Sequence, residues 1–353
     1  MISERTLTLA VERGLLTAEQ MAALRSLETS TDALAPTPDD EQLRFITGFA
    51  DIFVTIGIGL FLTGLYFFLA GQPPWLIAAL LAAASWGLAE FFTRKRRMAL
   101  PSIVLLLVFT GGVWLTVMLA LDDHLSATEI GSGIFFGDPA QLTPLLGANL
   151  ATLLAAALHY RRFSVPITVA AGGAALTATI VGLLAYAAPN WVLSVQRPLI
   201  FACGALFFVL AMWFDRQDLQ RRTRLSDIAF WLHMVAAPLI MHSLAGYFAR
   251  SLMLTLNAAL LILAIFVVLG LLAVLIDRRA LLVSGLTYLA IAFSSVIRET
   301  ALSSAILPLT VLGLGAFILL ISAAWPALRR LVLGRVPASL AAWVPPARAN
   351  SIG

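Results

Sequence analysis

Long apolar runs, separated by short polar turns, fill the chain from Asp51 to Trp325. Each run holds about 17 to 25 residues, and a helix of that length, rising about 1.5 Å per residue, crosses a hydrocarbon layer of about 30 Å. The runs are continuously apolar rather than alternating, so they do not match the strands of a transmembrane barrel. Since lipid tolerates only closed backbone hydrogen bonding, the pattern predicts an all-α fold, a polytopic transmembrane helical bundle.

The runs predict about ten membrane spans. The predicted spans are Asp51–Ala70, Trp75–Phe92, Pro101–Leu121, Leu142–Tyr160, Val165–Ala188, Pro198–Phe214, Ile228–Phe248, Met253–Ile276, Leu281–Ile297 and Ile306–Trp325. Of the 23 Lys and Arg residues, 20 fall on one side of these spans, and only Arg197, Arg250 and Arg298 fall on the other. Because cytoplasmic loops are enriched in basic residues, we expect both termini in the cytoplasm.

The composition agrees with a membrane protein, since 60% of the residues are hydrophobic and only 12% are charged. A net charge of +4 would suggest nucleic acid as a partner in a soluble protein. Here the basic residues lie in short turns between apolar runs, where membrane orientation explains them, so we expect the lipid bilayer and no nucleic acid. Cys203 is the only cysteine, which excludes an intramolecular disulfide or a thiolate metal cluster. We expect no removable signal peptide, because no continuous apolar segment follows the first charges.

The chain divides by composition into four parts. They are a cytoplasmic helical hairpin at 1–28, an acidic, proline-containing linker at 29–45, a transmembrane domain at 46–325, and an interfacial helix with a disordered tail at 326–353. In the hairpin, Gly14 can end one helix, and Thr17 with Gln20 forms a capping-box pattern at the start of the next. A hairpin this short needs another surface for its apolar residues. The sequence therefore leaves open a cytoplasmic partner or self-association through residues 1–28.

A weak internal repeat occurs where spans reach the basic turns. The segments Leu88–Arg94, Leu210–Arg216 and Leu272–Arg278 align without gaps, and each precedes a returning span. The repeat unit would be a two-helix hairpin in parallel orientation. Apolar helices that end in arginine also resemble one another for generic reasons, so both interpretations stay open.

Two histidines, His233 and His242, lie in one predicted span on either side of Pro238. Nine residues at about 100° each place them on opposite helix faces, about 13 Å apart along the axis, so they cannot bind one metal ion. The proline removes a backbone donor and predicts a kink. We expect hydrogen-bonded histidines near the two interfaces, with a protonatable role at a cavity mouth as the alternative.

Three arginines depart from the charge rule. Arg197, Arg250 and Arg298 lie on the predicted outer side, the last beside Glu299. If they cluster, they form an anion or lipid-headgroup site, since guanidinium binds carboxylate and phosphate in a bidentate manner. The alternative is that each side chain extends to the headgroups or pairs with nearby acids.

Within the spans, small and weakly polar residues form helical faces. Thr179 lies on such a face from Thr168 to Tyr186, and Asn149 and Asn257 are the clearest polar groups inside spans. Small faces allow close helix packing and polar groups can bridge helices; a cavity lining is the other interpretation. No nucleotide, metal or catalytic motif occurs in the sequence, so we expect neither an enzyme nor a metal or cofactor.

The stretch Arg13–Gln20, the Ala/Leu/Phe-rich spans and the ending Ala324–Arg330 resemble bacterial multi-pass membrane proteins of unassigned reaction that carry a short N-terminal cytoplasmic helical module. The resemblance implies a bacterial inner membrane and supplies no site residues.

Two function classes remain. A transporter-like protein for a small or anionic solute needs polar groups converging near mid-membrane and helices broken there, for which Asn149, Asn257, Thr179 and Pro238 are the candidates. A non-transporting scaffold or sensor subunit would act through its N-terminal hairpin. The architecture alone ranks the transporter-like role first.

Overall fold

The computed structural model describes residues 7, 10–14, 16–23, 49–121, 139–221, 223–246, 255–299, 305–337 and 343–345. Ten long helices account for most of them. They are α1 (Phe49–Phe68), α2 (Pro74–Ala89), α3 (Ala99–Leu121), α4 (Pro139–Phe163), α5 (Ile167–Ala187), α6 (Pro189–Gln217), α7 (Arg224–Ala245), α8 (Leu256–Ile276), α9 (Ala280–Arg298) and α10 (Ile306–Leu333). A π-helical turn, Glu90–Lys95, extends α2. Within the described residues, all ten helices, α2 together with its π-helical turn, are long and apolar enough to cross a membrane, which confirms the all-α polytopic bundle.

The last helix differs from the prediction that an interfacial helix begins after the span ends at Trp325. Helix α10 continues through Pro326 as far as Leu333. Trp325 and Arg329, one helical turn apart, both bind Asp277 in the turn between α8 and α9. This contact requires both side chains on one helical face. It therefore favours continuation of the helix past the proline.

The helices joined by basic turns pack extensively against each other, namely α2 with α3, α4 with α5, α6 with α7, and α8 with α9; α3 packs against α4 to about the same extent as α8 against α9. Glycines allow the close approach in two of these hairpins. A Cβ at Gly112 of α3 would lie 3.0 Å from the Ala82 Cβ of α2, and a Cβ at Gly204 of α6 would lie 2.9 Å from Ile240 of α7. The two-helix hairpin is therefore a real packing unit of this bundle.

Neighbouring hairpins pack in two different ways. Outside its own hairpin, helix α3 packs most extensively against α4, whereas the corresponding helix α7 packs most extensively against α9. Helices α5 and α7 also contact each other and connect the two halves of the bundle. Successive hairpins are thus not related by a single repeated rotation and translation, so the internal repeat is limited to the hairpin itself.

The outer faces of the helices are strongly apolar. On α10, Leu307, Leu312, Leu319 and Leu320 are about 70% exposed (74, 69, 72 and 69%). In water such a continuous apolar surface would be unstable, and a hydrocarbon layer accommodates it. The lipid-facing surface thus agrees with the multi-pass arrangement.

In the N-terminal module, residues 10–12 and 18–23 are helical. The predicted capping box forms: the Thr17 amide donates to Gln20 Oε1 at 2.9 Å, and the Gln20 amide donates to Thr17 Oγ1 at 3.1 Å. Gly14 has φ +68°, a left-handed conformation suited to glycine. Residues 29–45, predicted as a linker, and most of the predicted tail lie outside the described residues.

Candidate functional site

Four turns lie at one end of the bundle, called here the basic end: residues 90–98, 161–167, 217–221 with 223–224, and 277–280. Ion pairs connect these turns in two pairs. Arg162 donates to both oxygens of Glu90, at 2.7 and 3.0 Å, and Arg221 binds Asp277 at 2.9 Å. The strongest polar contacts between hairpins therefore lie at this end.

Asp215, at the end of α6, is the centre of one buried cluster. The residue is 5% exposed and accepts two hydrogen bonds from the Arg278 guanidinium, of which the one from Nε is 3.1 Å long. The same guanidinium reaches Ser226 Oγ at 3.0 Å. His233 Nε2 lies 3.0 Å from the Asp215 carboxylate, so the imidazole donates to it. This cluster connects α6, α7 and the turn between α8 and α9.

Asp277 is the centre of a second buried cluster. It ends α8 in a left-handed conformation, φ 56° and ψ 49°, and is 2% exposed. Its carboxylate accepts from Arg221 Nη1 at 2.9 Å, from Trp325 Nε1 at 2.8 Å and from Arg329 Nη1 at 2.8 Å. Two guanidiniums therefore share one carboxylate, and α10 is fixed to the turns before it.

A short C-terminal segment lies against the second cluster. Arg329 donates to the Pro345 carbonyl, Val344 is 6% exposed, and the Arg216 guanidinium stacks on the Trp343 ring, 4.0 Å from its centroid. A cation placed over an aromatic ring is attracted to it. Residues 343–345 thus cover part of the basic end.

Both clusters are structural rather than open to ligand. Their guanidiniums are already engaged by carboxylates, carbonyls and a hydroxyl, and breaking a buried ion pair costs about 3–5 kcal/mol because it leaves an uncompensated charge. A ligand that displaced these partners would have to offset that cost. The clusters therefore stabilise the basic end.

A cavity of about 370 Å³ lies at the basic end, and none of the residues of the two clusters lines it. Its walls are the π-helical turn after α2, the first turn of α3, the turn between α4 and α5, and the start of α7. Three arginines line it, Arg94, Arg97 and Arg224, against one acid, Asp227. The cavity therefore carries an excess of positive charge.

Helix ends add to this charge. Ala99 begins α3, Ile167 begins α5 and Arg224 begins α7, and all three residues line the cavity. The N-terminus of a helix carries a partial positive charge from its unpaired amides. At α5 the N-cap residue, Pro166, provides no side-chain hydrogen bond. Three helix starts around one cavity are a favourable environment for an anion.

The π-helical turn shapes one wall of the cavity. The Arg96 amide bonds the carbonyl five residues earlier, on Phe91, at 3.0 Å, which adds a residue to the turn, as often occurs at functional sites. Thr93 in this turn is 7% exposed and lines the cavity, and its Oγ1 has no hydrogen-bond partner among the described residues. Arg97, which follows, has φ +55°, a conformation uncommon for residues other than glycine.

The two predicted histidines are separate and both are hydrogen bonded, as expected. His233 is fully buried in the Asp215 cluster, and His242 is exposed at the other end of α7, where its Nδ1 lies 2.6 Å from the Tyr288 hydroxyl. Helix α7 runs through Pro238 without interruption. Among the described residues, no group of three His, Cys, Asp or Glu side chains could hold a metal ion.

The predicted outer arginines are only partly described. Arg197 lies in α6 and Arg298 ends α9, both half-buried, whereas Glu299 is exposed. Arg250 falls outside the described residues. An anion site at this end stays a prediction.

The polar residues of the spans do not converge on a common centre. Asn149 is 5% exposed and accepts a hydrogen bond from Trp114 Nε1 at 3.0 Å. Thr179 donates to the carbonyl of Ala175 in its own helix at 2.8 Å. Asn257 is exposed in the first turn of α8. The contacts of Asn149 and Thr179 therefore favour helix packing over a cavity lining.

The interior charges at the basic end were missed from sequence. Arg221, Arg278 and Arg329 entered only as evidence for orientation, yet all three lie in buried ion pairs. The aligned pairs Asp215–Arg216 and Asp277–Arg278 were the sequence feature that indicated these ion pairs. An acid that recurs next to an arginine at a helix end needs a partner.

Comparison of the chain with protein-family models, with curated proteins and with solved structures gave no match. The function must therefore be argued from the chemistry of the basic end.

Proposed function

We propose that this multi-pass protein is a non-transporting sensor or scaffold that binds a small anionic solute in the cavity at its basic end. The observation that carries the proposal is the cavity itself, with three arginines against one acid and three helix starts around it. A bacterial inner membrane, with the basic end in the cytoplasm, is part of the proposal. The N-terminal module would pass the bound state to a cytoplasmic partner.

Transport of the anion is the second candidate. It is favoured by the position of the cavity, which lies between the α2–α3 and α4–α5 hairpins and helix α7 of the next hairpin. Transporters commonly bind solute between such units, but near mid-membrane and beside broken helices. Here Asn149 bonds a neighbouring tryptophan and Thr179 its own helix, and this lowers the rank of transport.

The test uses the purified full-length chain with chloride, acetate and inorganic phosphate as probes. Thermal unfolding in detergent reports binding, because a ligand that binds the folded state raises the unfolding midpoint. Reconstituted vesicles report flux of the same anions. We expect at least one anion to stabilise the protein without flux above that of protein-free vesicles.

Each other outcome decides against the proposal. Saturable flux would replace it with the transporter-like function, and the absence of stabilisation by all three anions would refute anion binding. Deletion of residues 1–28 should leave the stabilisation unchanged, since the cavity is formed by the bundle.

A further inference from the structure

The cavity holds guanidiniums that are available to a ligand. Arg97 and Arg224 make no ion pair with the described residues. Arg94 contacts Glu90 at 3.2 Å, but that carboxylate is held more closely by Arg162, at 2.7 and 3.0 Å. Arg94 can therefore turn towards a ligand while Glu90 keeps a counter-charge.

A buried hydroxyl lacks its partner in the same place. Thr93 Oγ1 is shielded from solvent, has no hydrogen-bond partner within the described ranges, and belongs to a residue that lines the cavity. An unsatisfied buried polar group destabilises a protein, so such groups in folded chains call for an explanation. Rotation of the Thr93 side chain about χ1 would turn this hydroxyl towards the cavity, where a ligand with an acceptor oxygen would satisfy it.

The charge and the number of donors select the ligand. Three guanidiniums against Asp227 leave about two net positive charges, and a phosphomonoester carries about −1.5 to −2 at neutral pH. Its three terminal oxygens are strong acceptors that guanidinium binds in a bidentate manner. A carboxylate offers one charge and two oxygens, so it would leave donors of the cavity unused.

The volume sets the size of the ligand. A cavity of about 370 Å³ is at the lower end of the range of about 300–1,000 Å³ for small-molecule sites. It has room for a phosphate group with a short organic part. Its place at the ends of the spans is also the level of lipid headgroups.

The geometry points to a phosphate site in the basic-end cavity, formed by Thr93, Arg94, Arg97 and Arg224. The bound group belongs to a small soluble phosphomonoester or to the phosphomonoester headgroup of a lipid such as phosphatidic acid. This inference rests on the proposed function, because it names the anion that the cavity binds.

The test measures the thermal unfolding midpoint and the dissociation constant of the purified, delipidated full-length chain at fixed ionic strength. The probes are inorganic phosphate, glycerol 3-phosphate, short-chain phosphatidic acid and acetate. We expect the phosphate-containing probes to stabilise the protein and acetate to have little effect. Stronger binding of glycerol 3-phosphate identifies a soluble ligand, and stronger binding of phosphatidic acid identifies a lipid headgroup.

Arg97→Gly is the informative variant, because glycine adopts the positive φ at this position without strain and the fold keeps its turn. It should weaken phosphate binding about tenfold or more. Arg96→Gln removes the same charge from an arginine that stacks on Phe91 outside the cavity wall, and should change the affinity by less than about twofold.

Thr93→Val separates a ligand contact from a structural role. It removes an unsatisfied hydroxyl, so the ligand-free protein should be as stable as the parent or more stable, while phosphate binding weakens about tenfold. Equal affinities of Arg97→Gly and Arg96→Gln would overturn the site. Stabilisation by acetate without stabilisation by any phosphate-containing probe would also overturn it, although the proposed function would survive that result.

Discussion

Asp277→Asn tests the charge clusters at the basic end. The Asp277 carboxylate accepts from Arg221, Trp325 and Arg329 at 2.8 to 2.9 Å. Asparagine has nearly the same shape and also tolerates the left-handed backbone, φ 56°. The substitution therefore removes the charge and leaves the conformation of the turn unchanged.

The magnitude follows from the burial of the partners. With Asp277 at 2% exposure, its neutralisation leaves two guanidiniums buried without their counter-charge, and the free energy of unfolding should fall by about 3–5 kcal/mol. The matched control is Glu90→Gln, which removes a carboxylate of 32% exposure at the same end. A solvent-exposed pair contributes little to stability, so the free energy of unfolding should fall by much less for Glu90→Gln than for Asp277→Asn.

Titration with a denaturing detergent in mixed micelles, followed by circular dichroism, gives the unfolding free energies. The double variant Asp277→Asn/Arg329→Met should lose less unfolding free energy than the sum of the losses of the two single variants. The reason is that Arg329→Met removes one of the guanidiniums that Asp277→Asn leaves without a counter-charge. A cost for Asp277→Asn no greater than that of Glu90→Gln, or strictly additive effects, would refute the argument.

Three further predictions concern packing, the C-terminal segment and orientation. Gly204→Ala should lower the unfolding free energy by about 1–3 kcal/mol, since its Cβ would lie 2.9–3.0 Å from the facing helix. The control Gly64→Ala, whose Cβ would have nothing within 4 Å, should raise the unfolding free energy by up to about 1 kcal/mol. The same detergent titration measures both. Trp343→Ala removes the ring under a guanidinium at 4.0 Å and should cost about 0.5–2 kcal/mol, and no change would show that the segment does not hold the basic end. In a cysteine-free background, Lys95→Cys and Gln72→Cys, at opposite ends of α2, should react with an impermeant maleimide from opposite sides of oriented membrane vesicles; reaction from one side would contradict the topology.

The sequence predicted the spans well because apolar length alone determines them. Each of the ten helices overlaps its predicted span, and the ends mostly differ by a few residues. The largest differences are the start of α6, at Pro189 rather than Pro198, and the end of α10, at Leu333 rather than Trp325. A proline inside a helix removes one backbone hydrogen bond and disfavours the helix, and at Pro326 the binding of Arg329 to Asp277 favours its continuation.

The functional site was less predictable, because it depends on which turns meet. Glu90 lies four residues before Arg94, a spacing that favours an ion pair within one helix, but Arg162, 72 residues away, holds it more closely. Likewise, Thr93 and Arg224 come together only through the packing of α5 against α7 beside the α2–α3 hairpin. Charge counting locates the basic residues at one end of the bundle, but it does not show which of them surround a cavity.

The Asp215–Arg278 contact also constrains biosynthesis. Its two residues are 63 positions apart, so at about 5–20 residues per second the ribosome makes the arginine about 3 to 13 s after the aspartate. Until then the end of α6 holds an uncompensated carboxylate, which water or the insertion machinery must solvate. Release of the nascent helix into lipid before the later hairpin emerges would therefore be unfavourable, and the second half of the bundle should assemble as a group beside the translocon.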